Sequence, residues 1–141
     1  YYLTDAFQYM IDKGAKIRVV DVEGWYDAGK LDTLLETNRA MLERGHARKP
    51  SSLGAGAKVV DPVYIEEGVT ITNSTVGPNV SIGAGSRVEG STLRDAVVGS
   101  KTTISSSTLA NSLVGDSVVL DGVSGEVTVG DHSEIRVRGN G

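Results

Sequence analysis

The sequence contains no cysteine and no long apolar run. The lack of cysteine excludes disulfide bonds and zinc sites built on thiolates. No run of apolar residues approaches the roughly 20 that are needed to span a bilayer, and the pattern of a signal peptide is missing. We therefore expect a cytoplasmic protein that does not have a membrane as its partner.

An excess of basic residues is missing as well. The 141 residues include 18 acidic and 14 basic side chains, which give a formal net charge of −4 at pH 7. Residues 1–50 carry eight of each sign, whereas residues 51–141 carry ten acidic and six basic residues. Because nucleic-acid binding requires a basic patch or stripe, this balance argues against a nucleic acid as partner.

What is present, from Leu53 onward, is an apolar residue at every fifth or sixth position. Internal repeats with a hexapeptide period are typical of parallel β-helices. Three successive units make one turn, so the series Leu53, Ile71, Val88, Ile104 and Leu120 predicts turns that shorten from eighteen through seventeen to sixteen positions. The periodic residues are Leu53, Val59, Ile65, Ile71, Val76, Ile82, Val88, Leu93, Val98, Ile104, Leu109, Val114 and Leu120.

The repeat survives a direct comparison of its units. Residues 91–99 align with residues 107–115 at a shift of sixteen, and the Ser-Thr-Leu and Val-Gly pieces coincide. Ala, Val, Ser and Thr recur at a second inward position near the corners, where only small side chains fit. Residues that tolerate a positive φ fall at the corners, namely Gly54, Gly68, Gly77, Gly83, Gly99, Gly115, Asn73, Asn79 and Asn111. The fold class predicted for residues 51–141 is mainly β, a parallel β-helix of about five coils with residues 121–141 as its cap.

The first fifty residues do not share the repeat. A first helix is predicted to be capped by Thr4 or Asp5 and to end at Gly14. Residues 16–23 alternate apolar and charged side chains like a strand, and a second helix is predicted over residues 31–45. One strand between two helices cannot build a core of its own. This segment is therefore predicted to be the α/β remnant (helix-strand-helix) of a larger domain.

A linker is predicted between the two parts. Residues 46–52 have linker composition, so the domain boundary is placed at residue 50, with residues 1–50 and 51–141 as the two units. The chain begins with Tyr1 rather than with methionine, and we expect it to be a fragment of a longer protein.

Three motifs in the first fifty residues occur in a fixed order: Tyr2-Leu3-Thr4-Asp5-Ala6, Gly24-Trp25-Tyr26-Asp27-Ala28-Gly29-Lys30 and Leu34-Leu35-Glu36-Thr37-Asn38. Together with the hexapeptide array they closely resemble the sugar-1-phosphate nucleotidyltransferases. The nearest likeness is to the long, glucose-1-phosphate thymidylyltransferase-like members, which carry a C-terminal left-handed β-helix. The resemblance covers the end of the catalytic domain and the whole array. It implies the left-handed sense of the β-helix, which the period of the repeat does not give.

The resemblance also implies a reaction and a metal. In this family a nucleoside triphosphate and a sugar-1-phosphate react to give a nucleotide sugar and pyrophosphate, and the nearest likeness implies dTTP and glucose-1-phosphate. The aspartate of the Trp-x-Asp-x-Gly turn helps to hold the catalytic Mg²⁺, and Asp27 matches it. The family's glycine-rich phosphate loop, first metal-binding aspartate and base-reading residues are missing from this chain. We therefore expect the chain by itself to be inactive.

For the side chains of this turn the sequence leaves two interpretations open. Trp25 and Tyr26 either line a sugar pocket or pack as anchors beside the turn. Lys30 either reaches a phosphate as a point charge or stands in water at the start of the helix. Asp27 itself could be a turn residue that caps the helix beginning near Leu31.

The role of the β-helix is open too. It is expected to hold subunits together in a homo-oligomer, because its open ends and flat faces need covering. As an alternative, it could bind acetyl-CoA in a bifunctional nucleotidyltransferase/acetyltransferase, with a histidine as general base. The two histidines, His46 and His132, lie outside the middle of the array, which argues against that use. A self-standing scaffold is the third possibility.

Overall fold

The computed structural model describes residues 2–137. Two helices come first: α1, Leu3–Asp12, and α2, Leu31–Met41, which continues into a wide helical turn at Leu42–His46. Both predicted helices are confirmed. Gly45 ends the second one with a φ of +97°, a conformation that glycine adopts without a Cβ clash.

The start of α1 differs from the prediction. The helix begins at Leu3, and Tyr2 is the cap residue before it. The Asp5 carboxylate lies in the first turn and accepts a hydrogen bond from the Tyr2 N–H at 3.0 Å. Thr4 and Asp5 are thus inside the helix, where Asp5 satisfies a backbone donor that the helix start leaves unpaired.

The predicted strand over residues 16–23 is not formed. Every residue from 2 to 30 is exposed, and apolar side chains such as Val19, which is 89% exposed, have no layer that covers them. A strand needs a partner on at least one edge, and no strand among residues 2–137 pairs with this segment. The helix-strand-helix prediction is therefore correct for its helices and wrong for its strand.

Short strands follow from Lys58 onward, and all of their pairings are parallel. They build two sheets around one column. The larger sheet bends at Asp95 and Asn111, which have positive φ, so the column has three faces. The strands are β1 Lys58–Val59, β2 Val63–Ile65, β3 Thr70–Thr72, β4 Thr75–Val76, β5 Val80–Ile82, β6 Arg87–Glu89, β7 Thr92–Val98, β8 Thr103–Ser105, β9 Thr108–Val114, β10 Val119–Asp121, β11 Ser124–Gly125, β12 Thr128–Val129 and β13 Glu134–Arg136.

The register of these strands confirms the predicted turns. Val63 lies opposite Val80, which lies opposite Ala96, so the offset between successive coils is first seventeen and then sixteen positions. On the second sheet Arg87 lies opposite Thr103, which is again an offset of sixteen positions. The fold is a mainly β, parallel β-helix of about five coils, preceded by two short helices. Its left-handed sense stays a prediction from the resemblance.

The core is a file of aliphatic side chains inside the coils. Eleven of the thirteen periodic residues are buried, and none of these is more than 4% exposed. Leu53 and Val59, in the open first coil, are partly buried against this file. Burial of one such side chain is worth roughly 1.5–3 kcal/mol, so this stacking supplies the main stabilisation. The buried members are Ile65, Ile71, Val76, Ile82, Val88, Leu93, Val98, Ile104, Leu109, Val114 and Leu120.

Small residues occupy the second inward position, as predicted. Ser74 Oγ donates to the Thr72 carbonyl at 2.7 Å and accepts from the Ser91 N–H at 3.0 Å. Ser91 Oγ repeats this arrangement one coil further, with the Glu89 carbonyl and the Ser107 N–H. No buried side-chain nitrogen or oxygen among residues 2–137 lacks a hydrogen-bond partner. The hydroxyls therefore link the coils without an unsatisfied polar group.

The corner glycines fall into two groups. Gly54, Gly68 and Gly77 have positive φ values, as predicted. Gly99 does not, and a Cβ at this position would lie 2.6 Å from the carbonyl carbon of Gly115 in the next coil. The close approach of two backbones, and not a positive φ, requires glycine here. This second group, in which the prediction of a positive φ is wrong, consists of Gly83, Gly99 and Gly115.

Both ends of the β-helix also differ from the prediction. Arg48, in the predicted linker, forms a parallel bridge with Tyr64, and Lys49 Nζ lies 2.8 Å from Asp61 Oδ2. The stretch predicted as a cap continues the array as a last coil up to residue 137, and its strand β13 pairs with β10. Residues 138–141, the remainder of that prediction, lie outside the described residues.

Candidate functional site

Helix α2 lies on one face of the β-helix and brings the predicted site with it. It contacts β5, β7 and β9, and the wide turn that follows it contacts β2. Leu31, Leu35, Asn38 and Leu42 are spaced by three or four residues and therefore share one side of the helix. Leu42 is only 4% exposed, which shows how closely the end of this helical segment meets the coils.

A polar network fixes α2 at one corner of the β-helix. Asn38 Nδ2 donates to the Asn79 carbonyl at 3.1 Å, and its Oδ1 accepts from Ser81 Oγ at 2.5 Å. Arg39 Nη2 donates to Asp95 Oδ1 at 2.7 Å, and Asn79 Nδ2 donates to the same oxygen at 2.9 Å. We call these five residues the docking network. It joins two consecutive helix residues to two consecutive coils.

The charge of Asp95 is stabilised within the docking network. Partial burial raises the pKa of this carboxyl group, but the hydrogen bonds from Asn79 and Arg39 outweigh it, and the pKa lies below its usual value. The positive charges of Arg39 and Arg94 act in the same direction. Asp95 is therefore ionised at neutral pH and holds the Arg39 guanidinium.

Asp27 lies in a turn that α2 holds in place. The turn, residues 24–30, precedes the helix, and Asp27 Oδ1 accepts a hydrogen bond from the Gly29 N–H at 3.0 Å. The backbone carbonyl of Asp27 accepts a second one from Thr37 Oγ1, also at 3.0 Å. The carboxylate thus shapes its own turn rather than capping α2, whose first residue is Leu31.

The same turn borders a cavity of about 240 Å³. Its lining combines two aromatic rings, two carboxylates and two hydroxyls, a set that can bind a polyhydroxylated ligand by ring contacts and hydrogen bonds. The lining residues are Trp25, Tyr26, Asp27, Thr33, Glu36 and Thr37.

Trp25 and Tyr26 differ in their contacts. Trp25 is 86% exposed, so it does not pack as an anchor among the described residues. Tyr26 is 41% exposed, and the guanidinium carbon of Arg44 lies 4.9 Å from the centroid of its ring. Their role in binding a sugar stays a prediction.

Lys30 is not part of the lining of this cavity. Its backbone N–H donates to Thr33 Oγ1 at 3.2 Å and its carbonyl accepts from the same hydroxyl at 3.1 Å, directly before α2. Its position is that of an exposed helix-start residue, as one of the two interpretations predicts. Its contact with a phosphate stays a prediction.

Glu36 is the cavity residue that sequence reasoning missed. It lies on the same side of α2 as Thr33 and Thr37, and all three border the cavity. The helical spacing of these residues, read from the position of Asp27 before the helix, is the signal that could have identified it. Glu36 also borders a larger cavity of about 400 Å³ between α2 and the Asn111 corner, which contains none of the predicted site residues.

The donor set suits Mg²⁺ only in part. Magnesium takes hard oxygen ligands and is commonly held by one or two carboxylates together with substrate phosphates. Asp27 and Glu36 offer such oxygens at the smaller cavity. Among residues 2–137 no group of three or more His, Cys, Asp or Glu is arranged to hold a metal ion. Asp27 can therefore serve as one ligand of a site that other groups must complete.

The histidines do not line this cavity. His132 is in the last coil, where its φ is +59° and its backbone N–H donates to the Asp116 carbonyl at 2.9 Å. His46 ends the wide helical turn after α2. Between β1 and β13 every connection of consecutive strands is short, so the described coils carry no long inserted loop.

These features define a short parallel β-helix with a helix laid along one face and an aspartate turn before that helix. No family model matches the chain. The chain is 37% identical over 125 residues to a glucose-1-phosphate thymidylyltransferase of Streptomyces griseus, a match that covers 86% of this chain and 34% of that protein. A glucose-1-phosphate thymidylyltransferase of Streptomyces antibioticus is 33% identical over 103 residues, which are 72% of this chain and 28% of that protein.

A more distant relative is a low-salt glycan biosynthesis nucleotidyltransferase of Haloferax volcanii, 28% identical over 124 residues, with 74% of this chain and 35% of that protein covered. The chain thus spans about a third of the length of the curated relatives that it matches. The resemblance found in the sequence is confirmed: the chain is similar to the C-terminal part of proteins named glucose-1-phosphate thymidylyltransferase. None of the helices within residues 2–137 has the length and apolar character that crossing a bilayer requires.

Proposed function

We propose that this chain is the C-terminal part of an enzyme that joins a nucleoside triphosphate to a sugar-1-phosphate, with dTTP and glucose-1-phosphate as substrates. The observation that carries the proposal is the match to two thymidylyltransferases over 72–86% of the chain. The Asp27 turn supports it, because its aromatic, carboxylate and hydroxyl side chains border one cavity.

In this proposal an oxygen of the sugar-1-phosphate attacks the α-phosphorus of the triphosphate, and pyrophosphate leaves. Mg²⁺, when bound, neutralises charge on the phosphates and aligns the reacting groups. Asp27 would supply one carboxylate ligand for the metal, and the hydrogen bond from the Gly29 N–H would orient this carboxylate. The exposed ring of Trp25 and the partly covered ring of Tyr26 would bind the sugar. Lys30 would contribute a positive charge for a phosphate.

The chain by itself would not catalyse the transfer. Its sequence has no glycine-rich phosphate loop between a strand and a helix, and its described part offers only the carboxylates at the Asp27 cavity. Binding of phosphates and positioning of both substrates would require residues outside this sequence. In this proposal the activity belongs to the complete enzyme, and this chain supplies only its C-terminal portion.

The experiment uses the complete reading frame that contains this chain. Purified protein is incubated with Mg²⁺, glucose-1-phosphate and each of the nucleoside triphosphates, and pyrophosphate release is measured. We expect dTTP to give the highest kcat/KM, and we expect Asp27→Asn to lower kcat and to raise the Mg²⁺ concentration needed for half-maximal rate. Glu67→Gln, on the exposed surface of the β-helix, is the control. Absence of nucleotide-sugar formation with every triphosphate would refute the proposal.

We further propose that the β-helix joins subunits into a homo-oligomer through one flat face. The outward residues Thr75, Thr92, Thr108 and Ser124 lie opposite one another on successive coils. We call this row the threonine face. These four positions are uncharged, and no inserted loop interrupts them. A second face is covered by α2, and the third carries ion-paired side chains such as Glu134 and Arg136.

A second copy of the chain is the occupant that suits the threonine face. The row is small and uncharged from Thr75 to Ser124, and Lys58, opposite Thr75 in the first coil, is the charged residue at its end. A row of small, uncharged side chains lets an identical row approach closely, whereas charged side chains would oppose one another. Association through this row needs no segment other than the coils themselves.

A separate measurement addresses the acetyltransferase alternative. Titration of the complete protein with acetyl-CoA in a calorimeter would give saturable heat if the β-helix were an acyltransferase. The exposed position of His132 and the short connections of the coils give no support to that function. We expect no saturable heat.

A further inference from the structure

Hydrogen bonds made by two neighbouring residues of α2 link Asp27 to the β-helix. Thr37 Oγ1 donates to the backbone carbonyl of Asp27 at 3.0 Å. The next residue of α2, Asn38, donates to the Asn79 carbonyl at 3.1 Å and accepts from Ser81 Oγ. The turn and the coils therefore hold two neighbouring residues of one helix.

The geometry of a helix explains how this link works. Consecutive helix residues point about 100° apart, since one turn contains 3.6 residues. Thr37 therefore faces the turn while Asn38 faces the coils. The residue after them, Arg39, reaches Asp95 and adds a second bond to the same corner. Rotation of α2 about its axis would break these contacts together.

The turn has little other support. Every residue from 2 to 30 is exposed, so no core holds the turn from the N-terminal side. Its second contact is the Arg44 guanidinium over the Tyr26 ring, and Arg44 belongs to the wide turn that continues α2. The hydrogen bonds of Lys30 with Thr33 are further contacts, and they too start from α2. These contacts of the turn thus all come from the helical segment that the β-helix holds.

We propose that Asn38 is a positioning residue: it fixes α2 on the β-helix, and α2 in turn fixes the position of Asp27. The inference rests on the proposed role of Asp27 at the metal and assigns the β-helix a part in the reaction besides subunit association. Ser81 contributes from the side of the coils, because its hydroxyl orients the Asn38 amide. Loss of this contact loosens the turn and leaves Asp27 poorly aligned, although the coils remain folded.

The first test uses this chain alone. Trp25 is its one tryptophan and lies two residues from Asp27, so its fluorescence anisotropy reports how ordered the turn is. Asn38→Leu and Ser81→Ala are expected to lower the anisotropy, because the turn that carries Trp25 is then held less firmly. Ser81→Thr, which keeps the hydroxyl on a strand residue, is expected to restore the wild-type values.

Ser105→Ala is the matched control. Its hydroxyl also hydrogen-bonds a side chain on the outer surface, Asp121 Oδ1 at 2.8 Å, and makes a longer bond of 3.5 Å to the Leu120 carbonyl, but it lies on the sheet away from α2. We expect the wild-type anisotropy from it. Thermal unfolding of every variant shows whether the coils remain intact. Unchanged anisotropy in Asn38→Leu and Ser81→Ala, with intact coils, would overturn the proposal.

The second test uses the complete protein. Ser81→Ala is expected to lower kcat roughly twofold to tenfold, the range that one hydrogen bond supports, and to raise the half-saturating Mg²⁺ concentration while the KM for the nucleotide stays the same. A drop in anisotropy with an unchanged Mg²⁺ requirement would refute the link to the metal. A wild-type enzyme without transfer activity would refute the proposed function, and the anisotropy would still decide whether Asn38 positions the turn.

Discussion

Arg39 Nη2 lies 2.7 Å from Asp95 Oδ1, and this ion pair connects a helix to a β-helix corner that is 56 residues away in the sequence. Asp95 is well covered, with 16% of its side chain exposed, whereas Arg39 is 49% exposed. The pair lies beside the Asn38 contacts that we propose to orient Asp27. Protonation of Asp95 would therefore weaken the attachment of α2 to the coils.

Acidification is expected to loosen α2 from the coils. The pKa of Asp95 is lowered from its usual value of 3.8 in the folded protein, so the ionised group stabilises the fold above pH 3.8. This contribution is lost as the pH falls through 3.8 toward the folded pKa. We expect the Trp25 anisotropy and the melting temperature to fall between pH 6 and pH 3. The fall should be larger than in a variant that lacks the Asp95 carboxylate.

Asp95→Asn is the variant for this prediction, because asparagine tolerates the φ of +46° at this position and keeps the shape of the side chain. Its anisotropy should be low at every pH and should lose the added acid dependence. Asp61→Asn is the control, since its ion pair with Lys49 is exposed on both sides. Equal acid dependence in wild type and Asp95→Asn would contradict the prediction.

Replacement of Ile82 by Asp should unfold the β-helix. Ile82 is fully buried in the file of aliphatic side chains, and a carboxylate there would have no partner. The loss is expected to exceed about 4 kcal/mol, and circular dichroism should show little strand signal. Val60→Asp, at a position that is 45% exposed, should leave the melting temperature almost unchanged. A normal melting curve for Ile82→Asp would show that this side chain does not point inward.

Gly99→Ala tests the close approach of two coils. The added Cβ would lie 2.6 Å from the Gly115 carbonyl carbon and 2.7 Å from the Asp116 nitrogen, both backbone atoms. Because a backbone cannot move aside as a flexible side chain can, we expect a loss of about 1–3 kcal/mol in the free energy of unfolding. Gly130→Ala is the matched control, since a Cβ there would meet nothing within 4 Å. Similar denaturation midpoints for the two variants would contradict this explanation.

Subunit association through the threonine face is tested with Thr92→Arg. Thr92 lies in the middle of the row, and a charged, longer side chain there would separate two identical surfaces without touching the core. Sedimentation velocity should show a smaller species for Thr92→Arg than for wild type. Thr103→Arg, on the charged sheet, should keep the wild-type sedimentation coefficient. An unaltered coefficient for Thr92→Arg would refute the choice of this face.

Much of the β-helix could be predicted from local pattern. Ile65 and Ile82 recur at the offset of the register, and both are fully buried. The segment before α2 was harder to predict. Residues 16–23 alternate apolar and charged side chains like a strand, but among residues 2–137 no neighbouring strand pairs with them. The prediction of a positive φ at Gly99 was wrong for a related reason. Its need for glycine comes from the backbone of Gly115 in the next coil, and not from the conformation of its own corner.

The sequence by itself determined the period of the coils, the inward aliphatic residues, the small residues beside them and the turn that carries Asp27. These follow from local chemistry, since spacing and side-chain size decide which residues face inward. Only the tertiary structure decided that α2 lies on β5, β7 and β9 and that Thr37 holds Asp27. The physical reason is that these contacts depend on where a helix lies on the coils. Asn38 and Asn79 are 41 residues apart, and no local period relates them.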